Sequence, residues 1–197
     1  MEKVTLRTAR LVLAPPTLAD VDAITAACQD LELQRRVSSI PVPYSRGDAE
    51  GYVTGYSAAG WASGTSCTWA IHLDGAFAGA IGLDDIAGGR AEIGYWAAPE
   101  FRRRGVLTEA ARAVVRFGID PAPDGLGLQR IEWHAFAGNL GSAGVARNAG
   151  FRFEGTLRLG TMGRQGREDD WVAGILATDP HTQTPWPILG PILGPIL

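Results

Sequence analysis

Three arginines stand between a proline-ended apolar stretch and an amphipathic one, in Pro99-Glu-Phe-Arg102-Arg103-Arg104-Gly105-Val106-Leu107-Thr108. A turn directly after a strand and opening a helix points several backbone N–H groups one way, and the helix N-terminus adds about half a positive charge. Such a nest suits a diphosphate. Gly105 lets the backbone approach a ligand, while Arg102, Arg103 and Arg104 raise the local potential. Upstream, Glu92 falls in the strand that enters the turn, on one face with Gly94 and Trp96 by alternation. A glutamate in a central strand is there for an ion pair, here with Arg90 or Arg130, or for chemistry. Downstream, Asn139 and Ser142 precede a short helical stretch. Ser142 is the expected N-cap and Asn139 a turn former.

These segments share a pattern. Ala91-Glu-Ile-Gly-Tyr-Trp-Ala-Ala-Pro-Glu-Phe-Arg-Arg-Arg-Gly-Val-Leu-Thr-Glu-Ala110 resembles motif A of the GNAT acetyltransferases in their RimJ/RimL-like branch. Asn139-Leu-Gly-Ser142, Arg147-Asn-Ala-Gly-Phe151 and the opening Leu6-Arg-Thr-Ala-Arg-Leu-Val-Leu13 are similar to further segments of that branch. The resemblance runs from about Leu6 to Leu176. It implies an α/β (α+β) GNAT fold, with a mostly antiparallel sheet in which two parallel strands, Arg90–Ala97 and Gln129–Phe136, splay apart around acyl-CoA. By that resemblance the pyrophosphate sits on the amides of Arg103, Arg104, Gly105, Val106, Leu107 and Thr108. The pantetheine arm pairs with the backbone of Tyr95, Trp96 and Ala97, and Asn139 holds it from the other side. Two positions depart from the family's pattern. Leu107 stands where Gly or Ala is usual. Ala146 stands where many members carry the tyrosine that protonates the departing thiolate.

The resemblance also implies roles. Glu92 serves as general base toward an amine, and Ser142 supplies the proton to sulfur. A lysine acceptor, with a pKa near 10.4, must lose its proton at a cost of ~4–5 kcal/mol at neutral pH; an α-amine near 7.7–8.0 needs only about 1 kcal/mol. Acceptors that fit are a protein N-terminal α-amine or a small-molecule or antibiotic amine. A silent acyl-CoA-binding module is the alternative. Tyr44, Trp61 and Trp69 are candidates to line the acceptor pocket, against a plain place in the core. The segment from Leu31 to Gly60 is where the family builds acceptor specificity.

The elements that must position these residues are legible in outline. Alternation marks a strand over Val4–Ala14. Thr17 can cap a helix over Leu18–Gln29, Leu31–Arg36 forms a short helix, and Asp48–Ala59 another. Cys67–Leu73 and Ala76–Leu83 flank the hairpin signal Asp74-Gly75. Strand Arg90–Ala97, helix Gly105–Gly118 and strand Gln129–Phe136 form a right-handed parallel crossover. A short helix Ser142–Ala149 follows, then a closing antiparallel pair over Phe151–Thr161 and Asp170–Ala177.

The chain has 197 residues, 46% hydrophobic and 20% charged, with a formal net charge of -3. That suits one globular domain, expected over residues 1–178, and leaves no basic footprint for nucleic acid. No membrane span or signal peptide is expected, so a cytoplasmic protein is the default. Cys28 and Cys67 are too far apart for a CxxC. His72, His134 and His181 have no metal spacing and are expected as satisfied sheet or surface histidines. Residues 179–197 form an apolar tail with a tandem Pro-Ile-Leu-Gly repeat, expected to be extended and to dock on the domain or on a second copy in a homodimer.

Overall fold

The computed structural model describes residues 1–190. Eight strands form one sheet in the order β1-β2-β3-β4-β5-β6-β8-β7. They are β1 (Leu6–Arg7), β2 (Leu11–Ala14), β3 (Cys67–Leu73), β4 (Ala76–Ala87), β5 (Arg90–Ala97), β6 (Arg130–Phe136), β7 (Arg152–Gly163) and β8 (Gly166–Leu176). Every neighbouring pair is antiparallel except β5–β6. The expected hairpin at Asp74-Gly75 joins β3 to β4, and β5 keeps its expected bounds.

Helices cover both faces. Helix α5 (Val106–Ile119) carries an apolar stripe through Val106, Ala110, Val114 and their neighbours, and buries it in the main core. With α6 (Leu140–Ala149) it packs on the face that presents Ala91, Ile93, Ile131 and Trp133. On the opposite side, α1 (Val21–Ala27), α2 (Leu31–Arg36) and α3 (Arg46–Gly51) form a smaller core through Val21, Ile24, Leu33 and Ala49. Phe77 and Trp96 of the sheet pack against that second core. The helical segment continues past α3 through a π-turn (Tyr52–Ser57) into α4 (Ala58–Ser63).

Four expectations are corrected. The stretch Val4–Ala14 is not one strand. It folds back at Thr8–Arg10, so that Leu6 pairs with Leu13, and the Thr8 hydroxyl accepts from the Leu11 N–H at 2.9 Å. The helix after Thr17 begins with a 3-10 turn, Leu18–Asp20, and ends at Ala27; the Asp20 carboxylate accepts from the Thr17 N–H at 2.8 Å. The helix expected over Asp48–Ala59 starts earlier and runs later, because Ser45 and Asp48 form a reciprocal cap. The cap of α6 is Asn139, whose side chain accepts from the Ser142 N–H at 3.3 Å, so Ser142 lies inside the first turn.

The tail begins within the packed body. Trp186 is 1% exposed and lies between Trp133 and Phe153, with ring centroids 5.6 and 5.4 Å away. Its N–H donates to the Phe151 carbonyl at 3.1 Å. Ile188 and Leu189 pack against the same core, and the chain turns at Leu189, whose N–H donates to Trp186 O. Core packing thus continues beyond residue 178. The repeats from Pro191 onward lie outside the described residues.

Candidate active site

Strands β5 and β6 pair at three positions only: Arg90 with Arg130, Ala91 with Ile131, and Glu92 with Glu132. Beyond Glu92 the two strands part. From Ile93 to Ala97 the β6-facing edge of β5 has no ladder partner among the described residues, while its other edge pairs fully with β4. An open strand edge of this kind takes an extended ligand by backbone pairing.

The arginine turn closes one end of this opening. Pro99–Phe101 makes a 3-10 turn, Arg103 adopts a left-handed φ of 58°, and Gly105 is the α5 N-cap at φ 74°. Gly105 offers no side-chain cap, so the first N–H groups of α5 have no capping acceptor among the described residues. The three arginines divide their tasks. Arg102 is held by α2, donating to Asp30 at 2.5 Å and Glu32 at 3.2 Å. Its guanidinium keeps the Asp30 carboxyl below the usual range. Arg104 lies over the Phe101 ring at 5.2 Å, and its carbonyl accepts from Arg10. Arg103 is exposed and makes no side-chain hydrogen bond among the described residues. Leu107 packs its side chain against the main core. A groove of about 980 Å³ continues from Gly105 and Thr108 along α5, past Arg112 and Arg116.

Glu92 faces the second core's side of the sheet. The ion-pair alternative does not hold. Arg90 donates to Glu132 at 3.0 Å, and Arg130 is engaged by Glu132 and Glu154 at 2.8 and 2.6 Å. Glu92 makes no salt bridge or side-chain hydrogen bond among the described residues. Burial raises its carboxyl above the ordinary range; Asp84, Asp85 and Asp170 push the same way, and His134 pulls it back. Asp84 stands directly across the ladder from Glu92 and accepts from the Tyr56 hydroxyl at 2.5 Å. Burial raises its carboxyl too, with Asp85 adding to the effect and the Tyr56 bond opposing it. Next on this face of the strand, a Cβ at Gly94 would meet nothing nearer than the Asp84 carboxylate at 4.0 Å.

On the α6 side, the Trp133 indole donates to Ser142 Oγ at 3.1 Å, which leaves the hydroxyl hydrogen of Ser142 free to donate elsewhere. Asn139 spends its side-chain oxygen on the cap and keeps its amide N–H₂ for another partner. The Tyr95 hydroxyl donates to the Ser142 carbonyl at 2.8 Å and lies beside the backbone of Ala146. A phenol from the strand thus fills the space that the small Ala146 leaves on the helix. Sequence reasoning took Tyr95 for its backbone alone; its place two residues past Ile93, on the core face, was the available signal.

The aromatic candidates fare differently. Trp61 and Trp69 are 1% and 0% exposed, packed edge to face at 5.2 Å. Their N–H groups are satisfied by the carbonyls of Thr68 and Val4. Both are core residues. Tyr44 lies in the second core, with its hydroxyl against Cys28, whose thiol burial pushes up to about 11. Trp96 packs on Phe77 at 5.7 Å on the same side as Glu92.

Three comparisons bear on this geometry. The acetyltransferase (GNAT) domain family matches residues 10–152. YdaF of Bacillus subtilis (strain 168), provisionally named a ribosomal N-acetyltransferase, is 36% identical over 89 residues. That alignment covers 44% of this chain and 46% of YdaF, so the chain spans about half the length of this relative. The structure of RimL, the ribosomal L7/L12 alpha-N-protein acetyltransferase in complex with coenzyme A, superposes with a TM-score of 0.78 at 18% identity. It covers 88% of this chain and 98% of that one. The microcin C7 self-immunity acetyltransferase MccE, in complex with acetyl-CoA and AMP, superposes with a TM-score of 0.75 at 17% identity, covering 86% and 93%.

Proposed function

The chain belongs to the GNAT acetyltransferase family, and from that premise we propose that it moves an acetyl group from acetyl-CoA to a primary amine. The observation that carries the reading is the parting of β5 and β6 just past Glu92, with uncovered α5 amides at one end and an unpaired carboxylate at the other. The α5 amides and Arg103 suit the pyrophosphate, and the groove past Arg112 and Arg116 has room for the nucleotide end. The open edge of Tyr95, Trp96 and Ala97 suits the amide-bearing arm, with the Asn139 amide opposite.

Each chemical role follows from a local arrangement. Glu92, beside Asp84 in an anionic, partly desolvated patch, draws in an ammonium and takes its proton. Ser142, with Trp133 occupying one lone pair, donates its hydrogen to the leaving thiolate. A β5 amide polarises the thioester carbonyl. The acceptor we favour is a protein N-terminal α-amine. The names of YdaF and RimL support it, as does the small deprotonation cost of an α-amine, about 1 kcal/mol. A small-molecule amine is the second reading, favoured by the likeness to MccE.

Thiol release measured across acyl-CoAs and an amine panel that includes peptides tests the activity. Turnover with acetyl-CoA and peptide N-termini is expected; no thiol with any amine would overturn the reading in favour of a silent binder. A crystal structure with acetyl-CoA should place the pyrophosphate within hydrogen-bond reach of the Arg103–Thr108 amides, and density elsewhere would sink the site assignment.

A further inference from the structure

Two histidines of the sheet are each bound to an aspartate, and the two pairs differ in what surrounds them. His72 meets Asp20 at 2.7 Å, but Asp20 also caps the first helical turn through Thr17. That pair ties β3 to the start of α1. His134 meets Asp170 through Nδ1, also at 2.7 Å. Asp170 is 4% exposed and spends its Oδ2 on this ring, whereas the His134 side chain is 30% exposed. The Nε2 atom of His134 has no hydrogen-bond partner among the described residues.

The position of His134 is the second observation. Glu132 is the last β6 residue paired to β5, opposite Glu92. His134 is the next β6 residue on that face, so it stands where the strands have just parted. Glu92 and the side-chain-free Gly94 lie across the opening. With Nδ1–H donated to the Asp170 carboxylate, Nε2 carries the lone pair and points away from Asp170, the arrangement by which a buried carboxylate fixes an imidazole as a base.

We infer that His134 is a further catalytic residue, the proton acceptor that discharges Glu92, and that Asp170 is its positioning residue. The inference rests on the acetyl-transfer reading. Glu92 lifts a proton from the acceptor ammonium, and that proton passes to His134 Nε2. The freed amine lone pair attacks the thioester carbonyl carbon. The C–N bond forms, the C–S bond breaks, and the thiolate takes the Ser142 proton. The imidazolium, balanced by Asp170, releases its proton to solvent through its exposed edge, and the second proton that the nitrogen sheds as the amide forms passes through water to restore Ser142. A carboxylate alone is a weak base toward an amine; an imidazole is the stronger base of the two. The charged groups that face the ring are Glu132 on its own strand, Glu92 on β5 and Asp170 on β8, with Asp84 and Asp85 of β4 behind Glu92.

The test is His134→Ala in the full chain, with acetyl-CoA affinity and thermal melting as controls for the fold. Expected are an unchanged acetyl-CoA Kd and a fall in kcat of about 100-fold or more. The acid limb of the kcat/KM profile should change from the parent's to that of Glu92 alone, and added imidazole should restore part of the rate. Asp170→Asn should lower kcat by at least about tenfold, without rescue by imidazole. An H134A rate within about threefold of the parent overturns the inference while leaving acetyl transfer intact. A loss that imidazole does not relieve, with the parent pH profile, also overturns it. A parent chain that releases no thiol overturns the acetyl-transfer reading and this inference with it.

Discussion

Glu92 combines isolation from cations with a raised carboxyl, and the two have separable consequences. Burial is the main cause of the rise, with Asp84, Asp85 and Asp170 adding to it and His134 opposing it. The folded chain therefore holds this proton more tightly than the unfolded chain. The resulting stability is full below the unfolded value and is lost as pH rises through the raised folded value. Glu92→Gln removes the charge and keeps the shape. Above the ordinary carboxylate range its Tm should exceed the parent's, and the two melting curves should converge in acid. Its thiol-release rate should fall by about 100-fold or more. An unchanged Tm at every pH would show that Glu92 is not held against its own ionisation.

At the scale of elements, the turn into α5 depends on one backbone conformation. Gly105 sits at φ 74°, and a Cβ there would meet nothing nearer than the Arg10 guanidinium at 3.5 Å. The cost of Gly105→Ala is therefore backbone strain rather than collision, about 1–2 kcal/mol. Urea unfolding should show a lower midpoint with an unchanged slope; no shift would mean that the turn relaxes freely. The sequence made this element legible because strand, turn and helix are each local patterns. The strand pair around it was legible only by resemblance, since the point where β5 and β6 part depends on a pairing between residues about 40 apart. The fate of Arg102 was not legible either: its partners Asp30 and Glu32 are 70 or more residues away. Other choices were hidden for local reasons: Asn139 and Ser142 are both good caps, and only the geometry decides between them, while the aromatic character of Trp61 and Trp69 fits a pocket or a core equally well. Arg164 shows the limit most clearly. From the β7–β8 turn it donates to the Gln34 carbonyl at 2.8 Å, and also to Val37 and Ile40, and so ties the far end of α2 to the sheet.

At the scale of the whole molecule, the segment after β8 returns to close the core. Gly150 lies against the backbone of His181, where a Cβ would meet the His181 carbonyl at 2.9 Å, and five residues on Trp186 enters the interior. Trp186 supports Trp133 from behind, and Trp133 in turn holds Ser142. Trp186→Ala should cost about 3–5 kcal/mol of stability, measured by denaturant unfolding. A loss below about 1 kcal/mol would mean that the segment merely rests on the domain.

The pairing of Trp133 with Ser142 has an optical side. Of the six tryptophans, five are at most 9% exposed, and the sixth, Trp96, packs against the second core on the Glu92 side of the sheet. Trp133 alone hydrogen-bonds the hydroxyl assigned to the sulfur. Under the proposed acetyl transfer an indole emitter stands beside the thioester, and its emission is expected to change as acetyl-CoA binds and leaves.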